Sequence, residues 1–152
     1  MKKYTTENEI RALSWRQPYA DLMLAGKIET RSWKTNYRGW VLICSSKKPY
    51  NIGQIEAISG FDGLERIIDL AQDREIFKQL CGSAIAIGYL SDCRKMTLED
   101  EEICFVKYHP ALYCHVYEDV QMLPQPFPWQ GKLGWRIVPD EVKHQIKNML
   151  EL

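Results

Sequence analysis

The sequence predicts an α+β domain, a small mixed-strand β-barrel with helices packed around it. Three observations lead there. Five or six short segments are apolar or alternate as strands do, and helical periodicity is confined to the stretches between and after them. The 152 residues are enough for one domain, 1–152, with a real core and no staples.

The elements follow in order. In EIRALSW, Ile10, Leu13 and Trp15 mark a short strand. Pro18 suits the first turn of a helix, Tyr19, Leu22 and Met23 share one face, and Gly26 is the stop, so QPYADLMLAG reads as a short helix. KIETRSW alternates as a strand, TNYRG turns, and WVLICSS is the continuous apolar run of a buried strand. From 51 to 80 the pattern is helical, with Leu64, Ile67, Ile68 and Ala71 at spacings of three and four. SAIAIGYLSDC and ALYCHVYEDVQML read as further strands. PQPFPWQGKLGW, with three prolines, reads as a loop, GWRIV as a closing strand, and Pro139–Asp140 as the start of a final helix.

Composition excludes several classes. Hydrophobic content of 45% and charged content of 26% are those of an ordinary globular protein. No apolar run approaches a membrane span, and MKKYTTENEI lacks the apolar core of a signal peptide, so the expected location is the cytoplasm. Cys44, Cys81, Cys93, Cys104 and Cys114 are odd in number and contain no CxxC pair. With His109, His115 and His144 equally scattered, no metal, cofactor or disulfide framework is expected.

Charge is placed unevenly. Twenty Lys+Arg balance twenty Asp+Glu, yet residues 1–50 hold ten basic and four acidic side chains. A neutral total argues against a non-specific polyanion binder and for a local basic face. The imbalance concentrates in GKIETRSWKTNYRGWVLICSSKKP, residues 26–49. Strand alternation puts Lys27, Glu29, Arg31 and Trp33 on one face and turns Ile28, Thr30 and Ser32 to the other. Arg31 can grip a phosphate or base edge bidentately, Glu29 can hold Arg31 or accept from an exocyclic amine, and Trp33 offers a stacking face. The bland reading, an exposed strand of solubilising ion pairs, is equally consistent with the pattern alone. Ser45, Ser46, Lys47 and Lys48 form either a helix-entry loop or a set of phosphate donors.

The run LSWRQPYADLMLAGKIETRSWKTNYRGWVLICSSKKP resembles the opening of ASCH domains, which carry LS-x-x-QP, G-x-K-x-x-E-x-R, RSW and YRG in that order. PFPWQGKLGW resembles their closing loop. The resemblance is close over 12–48 and loose over 83–138. It implies a PUA-like β-barrel, a fold associated with RNA and modified-base recognition, with a cleft lined by Lys27, Glu29 and Arg31. GKIETR is two residues shorter than the family motif, which keeps the E-x-R relation but takes Lys27 out of register with the usual lysine. Residues 51–82 match no motif and are expected to be a helical insertion.

Two functions from different classes follow. As a binding module, the cleft takes RNA or a modified nucleotide. Lys27, Arg31, Arg38, Lys47 and Lys48 draw in the backbone, and Trp15, Trp33 and Trp129 are candidate stacking surfaces. Trp15 has the strongest claim to be core instead, and Gln17 is balanced between reading a base edge and capping the helix. The alternative is an amidohydrolase acting on acetylated cytidine or a related nucleoside, because some small proteins resembling this one use a lysine, a threonine and a glutamate for that reaction. Lys27, Glu29 and Thr30 would supply it, with a further acid among Glu99, Asp100, Glu101 and Glu102. Strand parity counts against Thr30, which places the enzyme second. A protein-interaction role is a weaker third, since fold alone never fixes function.

Overall fold

The computed structural model describes residues 2–151. Its strands are β1 (Arg11–Trp15), β2 (Glu29–Arg31), β3 (Gly39–Ser45), β4 (Ser83–Lys95), β5 (Tyr113–Pro128) and β6 (Arg136–Ile137). They form one mixed sheet in the order β2-β5-β4-β3-β1-β6. β1 and β3 are parallel, and the other neighbouring pairs are antiparallel. β2 lies at one edge and β1 four places away, yet Arg31 Nη2 donates to the Ser14 carbonyl at 3.0 Å. The sheet is therefore curled into a half-barrel, with helices α1 (Tyr19–Leu22), α2 (Ile52–Leu70), α3 (Glu101–Cys104) and α4 (Asp140–Leu150) around it.

β3 explains how the sheet is buried. Val41 and Ile43 face one apolar cluster with Leu13, Trp15, Tyr19, Leu64 and Ile67. Trp40, Leu42 and Cys44 face a second cluster with Ala12, Leu123, Ile146 and Met149. Alternate side chains serve opposite layers, so a strand covered on both faces reads as unbroken apolar sequence. α2 closes the first layer and α4 the second.

Three expectations need correction. The helical pattern over 51–80 gives a helix only to Leu70, and residues 71–82 are turns and irregular chain. Within α2, Gly60 takes φ 77°, ψ 170° and kinks the axis, and Ile68 is exposed rather than packed. Neither terminal strand boundary is as expected for β2, whose three residues are far fewer than KIETRSW. The proline-rich PQPFP is not loop: β5 runs through to Pro128, paired with β4 at Phe127 and Pro128. Prolines are tolerated there because β2 pairs only with Tyr113–His115, which leaves the far end of β5 an edge. No helix is long and apolar enough to cross a membrane.

The cysteines are unpaired thiols in distinct settings. Cys44, Cys104 and Cys114 are buried, and Cys81 is exposed. Burial pushes the Cys104 thiol up to about 12, which withholds the reactive thiolate. Maleimide at neutral pH should therefore label Cys81 first, and the three buried thiols only in denaturant. Equal labelling rates at all sites in the native protein would contradict this packing.

Candidate ligand-binding cleft

The concave side of the half-barrel opens into a cleft of about 1150 Å³. Its inner wall starts from the shortened GKIETR segment. Gly26 ends the helical turns after α1 in the left-handed region, φ 92°, and sends the chain directly into β2. Lys27 is thereby drawn inside, its side chain fully buried. Its Nζ donates to the Cys104 carbonyl at 2.6 Å and the Ile28 carbonyl at 3.0 Å, and pairs with Glu29 Oε1 at 3.1 Å. These acceptors match the three hydrogens of an ammonium.

Glu29 links this buried cation to Arg31. Oε1 also accepts from the Thr30 amide at 3.0 Å, and Oε2 pairs with Arg31 Nη2 at 3.0 Å. Burial alone would push the Glu29 carboxyl up, but the Lys27 and Arg31 charges outweigh it and hold the group below the usual carboxylate range. The Arg31 guanidinium lies 4.9 Å over the Trp15 ring. Trp15 in turn packs edge-on against Tyr117. Behind β2, His115 Nε2 lies 2.8 Å from the Trp33 carbonyl, which can only accept, so Nε2 carries the proton. Burial holds this imidazole below its ordinary pKa. Arg31 Nε, Trp15 Nε1, His115 Nδ1 and the Tyr117 hydroxyl are buried without a partner among the described residues.

Of the residues expected to bind, Trp15, Lys27, Glu29, Arg31, Trp33, Ser45, Ser46, Lys47 and Trp129 all line this cleft. They do not play equal parts. Trp15 and Trp129 are 2% and 9% exposed, which leaves Trp33 as the half-buried indole of the three. Trp33 is itself held edge-on by His115 and Trp135. The Ser45 hydroxyl is tied to the Ser83 backbone. Thr30 and Ser32 also border the cleft, against simple alternation, because a strand of three residues does not carry its parity across the whole segment.

Gln17, Arg38 and Lys48 lie outside the cleft lining. Gln17 is buried at the start of α1, where it accepts from the Asp21 amide and donates to Asp21 Oδ1 and the Leu80 carbonyl. Its role is the helix-anchoring one. Arg38 Nη1 holds its own turn through the Thr35 and Tyr37 carbonyls. Lys48 is exposed, and its backbone carbonyl serves Arg16. Asp100, one of the four distant acids considered, is bound bidentately by Arg94 at 2.8 Å and does not line the cleft, nor do Glu99, Glu101 and Glu102.

The opposite wall was not legible from motifs. It comes from α2 through Ala57 and Ile58, and from Lys107, Tyr108 and His109 in the chain after α3. The loop 130–134 forms the remaining side and packs closely on β1 at Gly131. A Cβ at Gly131 would lie 2.5 Å from Ser14 Oγ. That loop belongs to PFPWQGKLGW, and Lys132, which the sequence reading did not single out, also lines the cleft. Among the described residues no group of three or more His, Cys, Asp and Glu side chains could hold a metal ion. Neither a scan of family models nor a search of curated proteins finds a match to this chain.

Proposed function

We propose that this chain is an ASCH-type, PUA-like domain whose cleft binds RNA or a nucleotide with a modified base. The observation that carries the reading is the charge of the cleft. Arg16, Lys27, Arg31, Lys47, Lys107 and Lys132 line it against one carboxylate, Glu29, in a protein whose net charge is zero. A concave surface of one sign concentrates ligands of the other. Trp33, Tyr50 and Tyr108 add half-buried ring surface beside those cations, the combination that suits a base joined to phosphate.

The amidohydrolase alternative has Lys27, Glu29 and Thr30 on the same wall. Against it, the Lys27 ammonium is enclosed by three acceptors, and a nucleophile needs a free lone pair facing the substrate. The test is to titrate a short single-stranded RNA into the protein while following tryptophan fluorescence at 50 and 200 mM salt, and separately to incubate the protein with acetylated cytidine. Salt-sensitive binding without product release is the expected result. Turnover of acetylated cytidine by the wild-type protein would establish the hydrolase instead.

A further inference from the structure

Resting on the nucleotide reading, we infer that the ligand carries a phosphate bound at the cleft rim by Lys107, and that the kink of α2 at Gly60 exists to place that lysine. Among the inner cations, Lys27 has its three acceptors, and the Arg31 charge is met by Glu29, which leaves Arg31 Nη1 to donate to a neutral base edge. Arg16 is held by the Lys48 and Pro49 carbonyls and lies 3.9 Å over the Tyr50 ring. Lys47, Lys107 and Lys132 differ from these. All three are exposed, line the cleft, and have no side-chain hydrogen bond or carboxylate partner among the described residues. The ligand's uncharged end therefore belongs inside and its anionic end at the rim.

Lys107 is the one with a built seat. Its amide donates to the Ile58 carbonyl at 2.9 Å, and one residue further along α2 the Ser59 hydroxyl bonds the Phe105 carbonyl. Ser59 Oγ also lies 2.5 Å from the Tyr19 hydroxyl, so the seat is anchored to α1. Arg66, from the second half of α2, stacks 4.3 Å over the Phe105 ring. Between these contacts the Lys107 stem crosses Gly60, where a Cβ would come within 2.9 Å of Lys107 Cε. Gly60 also has φ 77°, a conformation that L side chains rarely adopt. With no side chain at Gly60, the Lys107 stem lies directly against the α2 backbone at the kink. The insertion that no motif explained thus becomes part of the ligand site, with Ala57 and Ile58 on the wall and Gly60 as a positioning residue.

The phosphate could be a free monoester or a diester in a strand, and the experiment separates them. Cytidine, cytidine 5′-monophosphate and a cytidine tetranucleotide are titrated into wild type, Lys107→Ala, Lys107→Arg and Gly60→Ala at low salt. One or both phosphorylated probes should bind about three- to fivefold tighter than cytidine, the upper end of what a solvent-exposed ion pair contributes. Lys107→Ala should remove most of that margin with cytidine affinity unchanged, and Lys107→Arg should restore it. Gly60→Ala should behave as Lys107→Ala does. Because Lys107 is exposed, its variants report even where Gly60→Ala fails to fold. A margin only for the monophosphate identifies a free nucleotide, and one only for the tetranucleotide identifies a strand; either supports the phosphate seat. A margin that survives Lys107→Ala, or no margin while cytidine binds, overturns the inference alone. No binding of any probe overturns the nucleotide reading with it.

Discussion

Glu29→Ala should cost about 3–5 kcal/mol of folding stability, the penalty for leaving a buried charge without its partner. The Lys27 side chain is fully buried, and Glu29 is the carboxylate that balances it. Domains have only about 5–15 kcal/mol in total, so the variant should unfold at much lower urea with an unchanged slope. Lys27→Met combined with Glu29→Gln should lose less than the two single changes added, since each single change strands a charge and the pair does not. Acid should act similarly. Glu29 has a depressed pKa in the fold, so its contribution is present above the unfolded carboxyl value of about 4.3 and is lost as pH falls through the lower folded value. His115 is also depressed, so protonation of the unfolded chain begins to erode stability earlier, below about 6.5. An unfolding free energy for Glu29→Ala, extrapolated from urea, within about 1 kcal/mol of wild type would show that Lys27 is solvated after all.

That central ion pair marks the limit of what the sequence made visible. The row Lys27, Glu29, Arg31 and Trp33 was legible because each residue type has a distinct chemistry and the spacing placed them together. Its depth was not. Nothing in GKIETR says that Lys27 turns inward to the carbonyl of Cys104, 77 residues away, and becomes a structural cation instead of one screened charge. Strand parity failed at Thr30 for the same reason: whether a segment stays paired depends on the partner strand, and β5 offers β2 only three residues. The sheet and its helices were readable because buried strands and amphipathic helices leave periodic signals, whereas the prolines of β5 were misleading until the absence of a neighbour on that side was known. Lys107 and Tyr108 left no signal at all, since their place in the cleft is set by tertiary contact with Ile58 and Gly60.

Arg31→Ala should weaken binding of a short RNA about ten- to a hundredfold, the loss expected for one hydrogen bond to a charged group of about 1.5–3 kcal/mol. Arg31 is suited to that contact because its guanidinium is oriented before any ligand arrives. Nη2 is fixed by Glu29 and the Ser14 carbonyl, and the plane rests on Trp15. Nη1 has no partner among the described residues, and the side chain keeps 20% of its surface exposed within the cleft. A donor held in place loses little freedom on binding, so more of its interaction appears as affinity. Arg31→Lys tests this directly: charge remains, but an ammonium cannot satisfy Glu29, Ser14 and a ligand with the same fork. It should recover the ionic part of binding and not the oriented part, falling between wild type and Arg31→Ala. Lys27→Ala, by contrast, should act through stability, with melting lowered before any effect on affinity can be read. Unchanged RNA affinity in a folded Arg31→Ala protein would remove the inner wall from the binding site and leave only the lysine rim to hold the ligand.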